Sequence, residues 1–198
     1  MFVSIEGIDG SGKSTLSRNL KRKLLELGRS VFLTHEPTDG FFITESEQKN
    51  RTAENAIELF FRFTTDRMHH QKIINGELDR ERIVISDRYI HSSYAYQGPL
   101  MEMVFGGMDG TLEWMMSVSR IIKRMPDLII FLDLEPGRTT SRIAARKGRS
   151  GFEDPDYLKL VRTYYQKMIG SNWLVIDSTL PVEKVTAAAL EAVLARLP

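Results

Sequence analysis

The sequence predicts an α/β fold: one parallel sheet of about five strands with helices on both faces. Two observations carry this. Short apolar, β-branched runs alternate with amphipathic segments along the chain. Those runs are nearly all apolar rather than alternating, as strands are when both sheet faces are covered.

The elements follow in order. "MFVSIEGI" reads as a buried strand ending at Gly7. Lys13 to Leu27 reads as a helix, because Leu16, Leu20, Leu24 and Leu27 form one apolar stripe and Gly28 stops it. "SVFLTHEP" is a second strand, ended by Pro37. Ala53 to Asn75 has helical spacing, with Ile57, Phe60, Phe63 and Thr64 on or near one face. "RIVISDRY" is a third strand. Thr111 to Arg124 is a helix stopped by Pro126, "DLIIFLDL" a fourth strand and "WLVID" a fifth. A last helix covers Val182 to Leu197. Residues 38–50 and 145–156 show no clear periodicity, and loops of that length in a compact domain are usually functional or mobile.

The 198 residues suit a single domain, 1–198. A formal charge of +1, from 27 basic and 26 acidic side chains, gives no support for a nucleic-acid or membrane surface reader. Without cysteine there is no disulfide framework and no Cys-based zinc site. No apolar run approaches a membrane span, and the first residues carry no secretion signal, so the expected location is the cytoplasm.

One stretch carries chemistry. Gly7 to Ser14, "GIDGSGKS", fits G-x-x-x-x-G-K-[ST] between a predicted strand and a predicted helix. Such a loop turns its backbone N–H groups inward as an anion nest, and the helix dipole adds to it. Lys13 reaches the β- and γ-phosphates of a nucleotide, and the Ser14 hydroxyl can sit on Mg²⁺.

In open parallel sheets ligands bind beyond the C-terminal strand ends. The candidates there are Asp9, "EPTD" (36–39), "SDRY" (86–89) and "EPGR" (135–138). Asp87 suits a water-mediated Mg²⁺ partner, and the planar fork of Arg88 suits an acceptor phosphate. The same two residues also read as a structural ion pair. Phe63 and Arg67 are four apart on a predicted helix and share a face. They read either as a base-stacking ring beside a donor fork, or, for Phe63, as plain core. The His69–His70 pair points to different sides of a helix and reads as solvent-facing or packing. The methionine-rich stretches "MEM" and "WMM" read as packing or as a subunit contact.

Together these motifs resemble the thymidylate kinase family over nearly the full chain. They are "EGIDGSGKST" (6–15), "HEPTD" (35–39), "FFRFTTDRMHH" (60–70), "SDRYIHSSYAYQG" (86–98) and "ARKGRSGFE" (145–153). The resemblance implies a three-layer P-loop NTPase fold with strand order 2-3-1-4-5 and a lid at about 143–156. It implies transfer of the γ-phosphoryl group of MgATP to dTMP. Gly7, Ile8, Asp9, Gly10, Ser11, Gly12, Lys13, Ser14 and Thr15 would hold ATP, with Ser14 and Asp87 on the Mg²⁺. Phe63 would stack on thymine, Arg67 would bond its O4, and Arg88 would bind the dTMP phosphate. Asp9 would approach the sugar 3′-hydroxyl, while Glu36, Ser93, Tyr96 and Gln97 would line the acceptor. "SSYAYQG" is expected to be a turn.

Catalysis would fall to Lys13, Arg88, Asp9 and a lid arginine, Arg146 or Arg149, since Gly10 leaves the P-loop without one. Family members are usually homodimers. One departure stands out. Many relatives follow "EPTD" with a helix bearing a phosphate-binding basic residue, where this chain has "GFFITESEQKNR" (40–51), with Lys49 and Arg51 as the available cations. The alternatives are another nucleoside or nucleoside-monophosphate kinase on the same scaffold, or a non-enzymatic P-loop nucleotide binder. The absence of a guanine-reading N-K-x-D segment and the intact Lys13, Ser14 and Asp87 weigh against the latter.

Overall fold

The computed structural model describes residues 1–138 and 154–197. Among the described residues, five parallel strands form one sheet in the order β2-β3-β1-β4-β5. They are β1 (Phe2–Glu6), β2 (Val31–His35), β3 (Ile83–Asp87), β4 (Leu128–Asp133) and β5 (Trp173–Asp177). The helices are α1 (Lys13–Glu26), α2 (Glu45–Lys49), α3 (Ala53–Asp79), α4 (Ile90–Phe105), α5 (Gly107–Val118), α6 (Pro155–Lys167) and α7 (Val182–Leu194).

The two-residue period of the strands divides the core. Val3, Ile5, Ile85 and Ile130 pack against Leu16, Leu20 and Leu24 of α1 and Val185 and Ala189 of α7. Phe2, Val84 and Phe131 pack on the other face, against Phe60, Tyr94, Leu158 and Tyr165. Glu6 shares the parity of Phe2, so its carboxylate enters this second layer. The central strands are buried, whereas edge strands β2 and β5 are only partly so. Full coverage of every strand therefore holds for the middle of the sheet alone.

Several boundaries differ from expectation. Leu27 is exposed: α1 ends at Glu26, and the left-handed Gly28 turns the chain before the stripe completes another turn. The long helix α3 runs on to Asp79. The predicted 111–124 helix is α5, beginning at Gly107 and finishing in one 3₁₀ turn, Ser119–Ile121. The final helix stops at Leu194. Residues 38–50 contain α2, started by a capping box in which Thr44 and Glu47 satisfy each other's backbone amides. The expected "SSYAYQG" turn is instead the heart of helix α4, which continues through Pro99. Among the described residues no helix is long and apolar enough to cross a membrane.

Candidate active site

The loop after β1 forms the floor of the site. At Gly7 (φ +145°) a Cβ would meet the Leu132 carbonyl oxygen and the Ser11 hydroxyl, each at 2.7 Å, so only glycine lets the loop hug β4. Gly12 caps α1 without any side-chain hydrogen bond, leaving the first amides of the helix to an anion. The Lys13 ammonium folds over the loop, donating to the Ile8 carbonyl at 2.9 Å, with Asp9 Oδ1 3.7 Å away. Burial, reinforced by Arg88, lowers its pKa to about 8, although Asp9, Asp87 and Glu6 oppose this. The Ser11 hydroxyl is buried with no partner among the described residues. Ser178, beyond β5, braces the loop by donating to the Ser11 carbonyl at 2.6 Å.

β3 delivers Asp87 and Arg88 beside this loop. Ser14 donates to Asp87 Oδ2 at 2.5 Å, which sets a hydroxyl and a carboxylate side by side. These are hard oxygen donors, and Mg²⁺ commonly takes only one or two from the protein, the rest coming from water and phosphate. The pair therefore fits such an ion.

Arg88 adopts φ +74°, a left-handed conformation costing a non-glycine residue of order 1–3 kcal/mol. It is held there by its amide on the Ile5 carbonyl (3.0 Å) and by Ser86 on its own carbonyl (2.6 Å). Its guanidinium pairs with Asp9, donates to Ser92 at 3.2 Å and lies 4.9 Å over the Tyr96 ring. Desolvation alone would raise the Asp9 pKa, but Arg88 and Lys13 outweigh it and keep the carboxyl below its usual range.

A cavity of about 250 Å³ opens in front of Asp9 and Arg88. Phe63 and Arg67 from α3, Ser93, Tyr96 and Gln97 from α4, and Glu36 after β2 all line it. Phe63 is half-buried at the cavity wall rather than core. Arg67 is 1% exposed. Glu36 accepts from Arg67 Nε at 2.7 Å, with His70 Nδ1 2.9 Å from its other oxygen, and Arg67 Nη2 reaches Ser93 at 3.0 Å. Glu36 thus fixes Arg67, with both its oxygens engaged. His70 is a buried member of this network, while His69 stays exposed. Arg67 Nη1 and Gln97 Oε1 have no partner among the described residues.

Further lining residues carried no earlier signal. Tyr157 and Leu158 come from α6, and Tyr157 bonds the Tyr96 carbonyl. Of the two cations the sequence offered in the 40–51 stretch, Arg51 lies 3.9 Å over the Tyr157 ring and lines the cavity, whereas Lys49 does not line it. Glu6 was also missed. It accepts from the Tyr89 amide (2.9 Å), Ser92 (2.6 Å) and Tyr165 (3.2 Å), and burial raises its pKa to about 7 against those bonds and Arg88. A lone carboxylate ending a buried apolar strand was the signal that could have found it. The "EPGR" strand end is instead closed by an ion pair: Arg162 grips both oxygens of Asp133 (2.6 and 2.9 Å) and also Glu135. The expected lid, with Arg146 and Arg149, lies outside the described residues.

The thymidylate kinase family model matches residues 5–189. A protein named "Probable thymidylate kinase" from Thermoplasma acidophilum is 40% identical over 199 residues, covering 100% of this chain and 97% of its own. Proteins of the same name from Picrophilus torridus and Methanosarcina barkeri are 46% and 33% identical, covering 94% and 98% of this chain and 88% and 95% of their own.

Proposed function

The chain belongs to the thymidylate kinase family, and from that premise we propose that it transfers the γ-phosphoryl group of ATP to dTMP, giving dTDP and ADP. The observation that carries the acceptor is that Arg67 and Gln97 both line one cavity, and that Arg67 Nη1 and Gln97 Oε1 have no partner among the described residues. A donor from Arg67 and an acceptor from Gln97 would complement the O4 and N3–H edge of thymine or uracil. Cytosine reverses both groups and would leave donor facing donor and acceptor facing acceptor. Phe63 supplies the ring on which the base lies flat.

Phosphoryl transfer needs no enzyme nucleophile; it needs two phosphates in line and spreading charge neutralised. An oxygen of the dTMP phosphate attacks the γ-phosphorus of ATP, and the bond to the β–γ bridging oxygen breaks. Arg88 orients the attacking phosphate, with Arg51 as the second cation in place of the helix residue other members carry. Lys13 leaves the Ile8 carbonyl to follow the transferring group. Ser14 and Asp87 would hold Mg²⁺, which supplies further charge neutralisation. Arg146 and Arg149 would complete the donor side, since Gly10 offers no side chain there. Asp9 keeps the Arg88 fork in place and reaches toward the sugar.

The exposed apolar side chains of Phe61, Met103, Val104 and Met116 support a homodimer, for which light scattering should give the mass of two chains. An ADP-release assay across dTMP, dUMP, dCMP and thymidine tests the activity. Turnover is expected with dTMP, less with dUMP and little with dCMP or thymidine. A preference for dCMP or for the unphosphorylated nucleoside would overturn the reading.

A further inference from the structure

Phe41 belongs to the stretch where the chain departs from the family pattern, and its ring lies nearly parallel to that of Phe63. The centroids are 4.7 Å apart and the planes 15° apart. Phe63 borders the acceptor cavity and Phe41 does not. A ring has two faces; Phe41 stacks on one face of Phe63 and lies outside the cavity that Phe63 borders, so the face remaining for a base is the opposite one.

The segment that carries Phe41 is fastened to α3 around this stack. The Thr38 amide and hydroxyl donate to Asp66 at 2.9 and 2.5 Å. Arg62 donates to the Phe42 carbonyl and to Glu47, each at 2.5 Å, and its guanidinium stands 5.6 Å over the Phe41 ring. Glu47 is in turn held by the Thr44 capping box. These attachments converge on one ring. A half-exposed phenylalanine on a helix otherwise samples several rotamers, and fixing one in advance removes an ordering cost from binding.

We propose that Phe41 is a positioning residue for the acceptor: it holds Phe63 in the plane on which the nucleobase stacks, so that base, Phe63 and Phe41 form a three-layer stack. This rests on the reading of the cavity as the nucleoside-monophosphate site. The test is steady-state kinetics of Phe41→Ala and Phe41→Tyr beside the unmodified protein, with melting temperatures. Phe41→Ala should raise KM for dTMP by about fivefold to tenfold, part of what a base–aromatic stack contributes. Its kcat and its KM for ATP should stay within about twofold, and Phe41→Tyr should restore the dTMP KM. An unchanged dTMP KM, or equal rises for both substrates alongside a lower melting temperature, would overturn the proposal. A lowered dTMP KM would also overturn it, since Phe41 would then be obstructing the base. If the unmodified protein favours another acceptor, the function assigned above fails, and the same KM ratio measured with that acceptor still judges the stack. Turnover of no nucleoside monophosphate overturns both.

Discussion

At the scale of single residues, three side chains separate holding from reading. Lys13 is parked on the Ile8 carbonyl and has to move with the transferring phosphoryl group. Lys13→Ala should lower kcat by about 10³-fold in a folded protein, comparable to removing a preorganised donor aimed at developing charge. Near-normal turnover in that variant would remove Lys13 from the chemistry. Arg67 and Gln97 differ more subtly. Arg67→Ala strands Glu36 in the interior, and breaking a buried pair costs about 3–5 kcal/mol, so lost activity there would be mixed with lost stability. Gln97→Leu instead removes a buried oxygen that has no partner, at little cost or with a gain in stability. It should keep its melting temperature and narrow the preference for dTMP over dCMP in kcat/KM. An unchanged ratio would exclude Gln97 from base reading. The side chain of Arg67 was legible from its spacing to Phe63. Its tie to Glu36 was not, because Glu36 and His70 meet it only in three dimensions.

At the scale of elements, legibility followed the period of the pattern. The strands and α1 were readable because their apolar residues recur regularly and glycine or proline punctuates them. Helix α4 was hidden because Gly98 and Pro99 sit inside it and mimic a turn. Gly98 is there for packing: a Cβ would lie 2.2 Å from Cε1 of Tyr164 on α6. Helix α6 in turn presents Tyr157 and Leu158 to the cavity, two turns before Tyr164, so the residue that disguised α4 also sets how closely the cavity wall stands. Gly98→Ala should destabilise the protein by about 1–3 kcal/mol through overpacking. It should also raise KM for dTMP more than KM for ATP, because α6 would be pushed from the acceptor side. A lower melting temperature with both KM values unchanged would show that the α4–α6 spacing does not shape the site.

At the scale of the whole molecule, Glu6 joins the sheet to two helices, bonding α4 through Ser92 and α6 through Tyr165, with Arg88 near it. Burial lifts its pKa from 4.5 to about 7, so the folded protein holds a proton that the unfolded chain releases. Its contribution to stability is therefore complete below about pH 4.5 and is lost as pH rises to about 7. His91 faces it, Nδ1 to Oε1 at 3.9 Å, and works in the opposite direction. Burial, with Arg67 adding to it, depresses its pKa from 6.5 to about 3, so its contribution is complete above pH 6.5 and is lost as pH falls to about 3. Between about pH 4.5 and 6.5 the two oppose each other, and their combined effect on stability should be nearly flat. Glu6→Gln separates them, because the Ser92 and Tyr165 hydroxyls can rotate to meet the amide while the titrating proton is gone. The unfolding free energy of Glu6→Gln minus that of the unmodified protein cancels every other group. It should climb from about pH 4.5 to about pH 7 and level off above, spanning about 3 kcal/mol at the 1.36 kcal/mol per pKa unit that linkage requires. Calorimetry at half-unit intervals from pH 4 to pH 8 measures that difference, and a constant value across the range would mean that Glu6 titrates in the folded protein as it does in the unfolded chain.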